Sequence, residues 1–328
     1  MKPRIYVTRM LPQAGLDLLA EEYDVEVNPH DRVATREELL AGIRGKDALL
    51  ALLTDTVDAG VMDAEPRLKV IANYAVGFNN IDVAAATERG IPVTNTPGVL
   101  TETTADLAFT LLMACARRVV EADGFMRAGK YEGWGPMLFL GRDVHGKTLG
   151  LVGFGRIGQA MAQRGLGFGM KILYNDAQRA SEELEKAYRA EYRELPDLLR
   201  ESDFVSLHVP LMESTHHLIS DAQFELMKTT GILINTSRGP VVDEKALVRA
   251  LKAGLISGAG LDVFEREPQF EPGLEKLANV VMVPHIASAS VETRTKMATM
   301  AAENACAAIR GEIPPNIVNP EVWDRRRR

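Results

Sequence analysis

Runs of apolar residues about five to eight long, separated by stretches of helical period, set the rhythm of this chain. RIYVT from Arg4, DALLALLT over Asp47 to Thr54, LKVIANYA from Leu68 and IPVTNTP from Ile91 each predict a buried parallel strand. The first hundred residues therefore read as one α/β domain. TETTADLAFTLLMACARR, from Thr101 to Arg118, carries hydroxyl residues at its start, acids in the first turn and two arginines at its end, the signature of a long, mostly buried helix. The segment AGKYEGWGPMLFLGRDVHGK that follows has no clear period and predicts an extended arm or loop, a candidate for contact with another subunit. From Thr148 a second series begins. TLGLVGF, MKILYND, FVSLHVP, GILINTSRG, GAGLDVF and NVVMVPH each read as a buried strand, with helices between them, and so predict a doubly wound sheet. A last helical pattern runs from Ser290 to Arg310 and stops at Gly311.

Composition narrows what such a chain does. Its 328 residues allow two compact domains, and the apolar fraction of 46% gives each a core. A formal charge of -7 offers no broad basic field for a nucleic-acid backbone. No segment approaches the roughly 20 apolar residues of a membrane span, and the amino terminus lacks the apolar run of a signal peptide. Cys115 and Cys306 stand far apart without metal-ligand spacing, which suggests neither a disulfide framework nor a zinc site and suits a reducing cytoplasm. The terminal run Arg325 to Arg328 reads as a solvated, disordered end without function.

The stretch LGLVGFGRIGQAMAQ, Leu149 to Gln163, brings chemistry into the picture. A glycine pattern of this kind is a weak signal alone, but here a strand leads into it and a helix continues it. Gly153 would make the turn, Gly155 would admit a pyrophosphate to the backbone, and Gly158 would let the helix pack on the strand, with the N–H groups around Arg156 and Ile157 facing the phosphates. The next strand ends at Asp176, 23 residues after Gly153, where a ribose-binding acid is expected. An acid there favours NAD; Arg179, a few residues on, keeps NADP as the alternative, and a simple turn role for Asp176 also stands.

Three motifs close later strands of the same domain: INTSRGPVVDE with Arg238, GLDVFEREP with Asp262 and Glu267, and VPHIASAS with His285. A guanidinium to fork onto a carboxylate, an imidazole to supply a proton and a carboxylate to hold that imidazole form a set suited to reducing a keto acid. Each has a blander reading alone: Arg238 capping a turn, Glu267 a solvated loop acid, His285 a structural histidine. His216 and His217, in STHHLIS, read as surface residues.

Taken in order, YAVGFNNID, GFGRIG, SLHVPL, NTSRGPVVDE, GLDVFEREP and VPHIAS resemble the D-isomer-specific 2-hydroxyacid dehydrogenases over about residues 3 to 320. NYAVGFNNIDV and WGPMLFLG resemble the glyoxylate/hydroxypyruvate reductase branch most. The resemblance implies an oxidoreductase that passes hydride from a nicotinamide cofactor to a small 2-oxo acid such as glyoxylate or hydroxypyruvate. It implies Arg238 on the substrate carboxylate, His285 as proton donor, and Glu267 bonded to His285 and holding it as an imidazolium. Asp262 would orient the nicotinamide end, and Thr104, Val209, Pro210, Thr215 and Thr236 would line the cofactor. Backbone N–H groups at Val76 and Gly77 would complete the carboxylate site, with Leu53 and Trp134 shaping the pocket and Trp134 coming from a partner in a homodimer. It also implies the topology: a Rossmann cofactor domain, residues 99–287, inserted into a flavodoxin-like substrate domain of residues 1–98 and 288–328, with two hinge crossings that let the enzyme close on its substrate and exclude water.

Alternatives of the same architecture fit less well. Formate dehydrogenases place a glutamine where Glu267 stands, and phosphite dehydrogenases carry a lysine in the loop matching YAVGF, whereas no lysine occurs between Lys69 and Lys130. Carboxy-terminal-binding corepressors, dinucleotide sensors that bind partners, keep a similar Arg, Glu and His set but carry long additional tails. A catalyst is the favoured reading.

Overall fold

The structure, a computed structural model, describes residues 2–327. The chain divides into two compact units, Met1–Leu100 with Ala289–Arg328, and Thr101–Ser288.

The first unit alternates strand and helix: β1 (Arg4–Val7), α1 (Gln13–Glu22), β2 (Asp24–Val27), α2 (Arg36–Gly42), β3 (Ala48–Leu52), α3 (Ala59–Ala64), β4 (Val70–Tyr74), α4 (Val83–Glu88) and β5 (Val93–Thr94). The five strands pair with one another in parallel, in the order β2-β1-β3-β4-β5, the flavodoxin-like arrangement. Strands covered on both faces read as unbroken apolar runs, which is why ALLAL and VIANY are legible. The sheet edge β2 is different. Its DVEV alternates between exposed and half-buried positions, so the apolar pattern does not announce it.

The second unit holds α5 (Thr101–Ala116), α6 (Val119–Arg127), β6 (Thr148–Val152), α7 (Arg156–Gly167), β7 (Lys171–Asn175), α8 (Glu182–Tyr188), β8 (Ala190–Tyr192), α9 (Leu195–Glu201), β9 (Phe204–Leu207), α10 (Asp221–Leu226), β10 (Ile232–Asn235), α11 (Glu244–Ala253), β11 (Gly258–Leu261) and β12 (Val280–Met282). Its parallel sheet runs β12-β11-β10-β9-β6-β7-β8. The order reverses between β6 and β9, the kind of switch point outside whose carboxyl ends open α/β sheets bind ligands. The sheet has seven strands where the apolar runs predict six. The extra one, β8, is a three-residue edge strand, AEY, too short to stand out. The segment from Ala128 to Lys147 carries no helix or strand.

After the second unit the chain returns to the first as α12 (Val291–Arg310). Ser290 caps its start, Oγ accepting from the Thr293 N–H at 3.1 Å, and Gly311 ends it in the left-handed region at φ 81. α12 packs on α1, and a Cβ at Gly15 would lie 2.7 Å from that of Ala298, so only glycine allows this approach. Leu16 and Leu19 of α1 join Met297, Ala301 and Ala305 of α12 in the core above β1, β3 and β4. Each buried leucine there contributes about 1.5–3 kcal/mol.

Within the arginine run at the carboxyl end, Arg325 is exposed as expected, but Arg326 and Arg327 are bound rather than solvated, and Arg328 lies outside the described residues. Arg327 donates from its amide to Gly90 O at 2.8 Å, from Nε to Arg89 O at 2.9 Å and from Nη1 to Glu65 O at 3.2 Å, while Arg326 stacks 3.9 Å over the Trp323 ring. Carbonyls at helix and turn ends, not an acidic surface, take up this charge. Among the described residues no helix is long and apolar enough to cross a membrane.

Candidate active site

The glycine turn lies where β6 ends. Gly153 adopts φ 97, and a Cβ there would sit 2.7 Å from the His208 carbonyl on the neighbouring strand end, so any other residue meets both strain and a clash. Gly158 presses on the same turn: its Cβ would strike the Gly153 carbonyl oxygen. Gly155 is the contrast. As N-cap of α7 it brings no side chain to the first-turn N–H groups, and a Cβ would meet nothing within 4 Å among the described residues. Arg156, Ile157 and Gly158 form the first turn of α7, whose N–H groups have no intrahelical acceptor and whose dipole favours an anion.

Asp176 closes β7 beside this turn. Its Oδ2 accepts from the Phe154 N–H at 2.7 Å and its Oδ1 from the Gln178 N–H at 3.3 Å, so the carboxylate braces the glycine turn it borders. Arg179 points elsewhere: its guanidinium forks onto Glu185 at 2.8 and 3.0 Å and holds that carboxyl down at about 2. On the other side of the turn, at the end of β9, the His208 imidazole meets Ser206 Oγ at 2.9 Å; burial pushes its pKa down to about 3. Val209 is half-buried and Pro210 exposed, the latter accepting at 2.7 Å from the Thr215 hydroxyl, which shapes that loop. Thr104 is buried on α5, and Thr236, just past β10, is 6% exposed with an Oγ1 that has no partner among the described residues.

The three charged residues meet at the carboxyl ends of β10, β11 and β12. His285 Nδ1 lies 2.8 Å from Glu267 Oε2, and Glu267 Oε1 accepts from the Phe264 N–H at 3.0 Å. Burial is the largest single push on the Glu267 pKa, upward, but the bond and charge of His285, the Phe264 amide and the Arg238 charge together hold the carboxyl below its ordinary value. Arg238 lies within the field of the same carboxylate, which opposes the downward push of burial on the guanidinium. Its loop is shaped by Asn235, 1% exposed, whose Nδ2 donates to Arg238 O at 3.0 Å while its Oδ1 accepts from Ser237 N at 3.0 Å.

Asp262 sets the histidine. Its carbonyl accepts from the His285 N–H at 2.9 Å, and its fully buried carboxylate accepts from Ile286 N at 2.6 Å and Ala287 N at 2.9 Å. Burial holds that carboxyl above the usual carboxylate range, with the two amides pulling the other way. These bonds force the chain into a sharp turn, and His285 sits at φ 53, a left-handed conformation that costs a non-glycine residue roughly 1–2 kcal/mol. Strain is concentrated on the residue whose ring meets Glu267.

The remaining sequence-derived positions lie on other segments. Trp134, 83% exposed, lies in the arm of the second unit. In the first unit, Leu53 is exposed after β3, and the turn after β4 is fixed by Asn73 Nδ2 on Gly77 O at 2.9 Å and Asn95 Nδ2 on Val76 O at 2.8 Å. Those carbonyls are thereby committed, while no described residue accepts from the amides of Val76 and Gly77. The asparagines at 73, 95 and 235 were not legible as site residues, because their work is a bond to backbone some residues away. His216 and His217 are exposed and stacked on each other, with His217 Nε2 2.5 Å from Glu265 Oε1.

A dinucleotide-type glycine turn at a switch point, with an imidazole, a carboxylate and a guanidinium on the neighbouring strand ends, defines a nicotinamide-dependent oxidoreductase. Residues 109–287 match the profile of the D-isomer specific 2-hydroxyacid dehydrogenase NAD binding domain. The chain is 57% identical to a glyoxylate reductase of Korarchaeum cryptofilum, over 98% of this chain and 97% of that one, and 53% identical to the glyoxylate reductase of Thermococcus litoralis, over 98% of each. Among solved structures it is similar to an NADPH-dependent glyoxylate/hydroxypyruvate reductase from Sinorhizobium meliloti in complex with NADP and malonate, at TM-score 0.87 and 34% identity, covering 100% of this chain and 99% of that one. The chain belongs to the D-isomer specific 2-hydroxyacid dehydrogenases, NAD(P)-dependent enzymes.

Proposed function

We propose that the protein reduces a small 2-oxo acid, glyoxylate or hydroxypyruvate foremost, to the 2-hydroxy acid. The carrying observation is His285 Nδ1 at 2.8 Å from Glu267 Oε2. With Nδ1 engaged by the carboxylate, Nε2 is the nitrogen left to hold a proton for the carbonyl oxygen, and reduction consumes that proton. Arg238, the third member of the cluster, presents the planar fork that a substrate carboxylate accepts. The glyoxylate reductase relatives support the same substrate class.

The residues present fit a nicotinamide dinucleotide. The open space at Gly155, the uncapped first turn of α7 and the unpartnered Thr236 Oγ1 are what a bound pyrophosphate and nicotinamide amide would use. Gly153, Gly158, Arg156, Ile157, Asp176, Thr104, Val209, Pro210, Thr215 and Asp262 complete our assignment of the cofactor site. The cofactor, when bound, supplies hydride. Asp176 beside the glycine turn, with Arg179 committed to Glu185, supports NAD over NADP. We assign substrate contacts to Leu53 and the Val76–Gly77 amides of the first unit and to Trp134 of the second.

Val119, Val120, Met126, Trp134, Met137 and Leu140 are all exposed on α6 and the arm; apolar side chains left in water over one stretch of chain are what a second copy would cover, and we infer a homodimer. Two free thiols, Cys115 and Cys306, support a cytoplasmic setting. The experiment is a panel of glyoxylate, hydroxypyruvate and pyruvate with NADH and NADPH, read as loss of nicotinamide absorbance. Tight NADH binding without turnover on any 2-oxo acid would replace the reductase reading with that of a dinucleotide sensor.

A further inference from the structure

α11 opens with two acids that face different ways. Asp243 is its N-cap, Oδ1 accepting from the Ala246 N–H at 3.0 Å. Glu244 is 3% exposed and turns inward: Oε1 accepts from the Glu265 N–H at 2.6 Å, and Oε2 from the Glu271 N–H at 2.7 Å. These two amides bracket the loop that carries Glu267. The same loop is pressed from the Arg238 side, where a Cβ on Gly239 would strike the Phe264 carbonyl.

An acid in the first turn of a helix serves the dipole equally well from the solvent. Burying it instead costs solvation that only charge-assisted bonds offset. Burial indeed pushes the Glu244 carboxyl above its ordinary value, with the two amides acting against that push. Since a backbone segment held at both ends by one carboxylate cannot slide, the cost yields a fixed loop rather than a fixed helix.

We propose that Glu244 is a positioning residue for the proton-donor pair: its two oxygens pin the 265–271 loop so that Glu267 Oε2 stays on His285 Nδ1. The inference rests on the reading of Glu267 and His285 as that pair.

A double-mutant cycle tests it on the intact enzyme. E267Q is measured first, and wild-type turnover in that variant would remove the underlying reading itself. Given a slowed E267Q, E244Q is expected to lower kcat by about ten-fold or more, the scale of a small misplacement of a reacting group. NADH affinity should stay within about two-fold, and E244Q/E267Q should be no slower than E267Q alone, because the first change acts only through the second residue. A merely structural role would lower thermal stability yet leave the two losses multiplying. Multiplying losses, or wild-type kcat in E244Q, would overturn the proposal. Should E244Q not fold, E244D, which keeps the charge but draws it back by one carbon, goes through the same cycle with the same two outcomes. Hydrogen exchange on the wild type adds a third reading: the Glu265 and Glu271 amides should exchange as slowly as those of β11, and fast exchange at both would equally overturn the proposal.

Discussion

Glu267 and His285 are joined by a 2.8 Å contact across 18 residues of chain, the imidazole held by its Nδ1 edge. A carboxylate on that edge fixes both the ring plane and the nitrogen that faces a substrate. His285→Ala should therefore lower kcat for 2-oxo acid reduction by about a hundred-fold or more, the usual scale for a general acid. NADH affinity, measured by fluorescence titration, should be unchanged. Turnover near the wild-type rate would take His285 out of the reaction.

Gly155 and Gly158 separate binding from folding. Gly158→Ala puts a methyl group against the Gly153 carbonyl and should destabilise the fold by about 1–3 kcal/mol in urea unfolding. Gly155→Ala meets no described atom within 4 Å, so its unfolding midpoint should stay in place while NADH affinity falls by about ten-fold. If both variants behave alike, binding and folding are not divided between these two glycines.

Asp176→Asn keeps an acceptor for the Phe154 N–H and removes the charge. A like-charge contact costs several kcal/mol, so the ratio of kcat/KM with NADPH to that with NADH should rise by about ten-fold or more. An unchanged ratio would mean that Asp176 serves only the turn.

The half-buried His208 imidazole, pushed down to about 3 by desolvation, links folding to pH. The unfolded chain takes up this proton near its ordinary 6.5 while the folded chain resists until far lower pH. The stability contributed is thus fully present above about pH 6.5 and is lost as pH falls toward the folded value. Urea midpoints at pH 7 and pH 5 should show a larger drop for the wild type than for His208→Gln, which does not titrate. Equal drops would place the acid sensitivity elsewhere.

How much could be read from the chain followed from what each residue bonds to. Central strands such as ALLAL and FVSL are covered on both faces and so declare themselves as apolar runs. The edge strands β2 and β8, half in water and short, do not. The glycines of GFGRIG were legible because turn, phosphate approach and helix packing each demand a missing side chain. Glu244 was not, since an acid after an N-cap looks like any helix-start acid until the chain folds it onto amides 21 and 27 residues away. Arg327 misled in the opposite direction: a terminal charge run suggests water, yet this guanidinium finds backbone carbonyls.

The seat of α12 on α1, tight enough to require Gly15 against Ala298, also sets an order of events at the ribosome. Residues 13–22 are made early, and the helix that shields their apolar stripe begins only at Val291. At roughly 5–20 residues per second, Leu16 and Leu19 wait on the order of tens of seconds for their partner to emerge. A nascent chain stalled before that point would present a greasy ledge to chaperones, and a circular permutation opened between the two helices, so that α12 is made just ahead of α1, should shorten the wait and raise the yield of soluble protein.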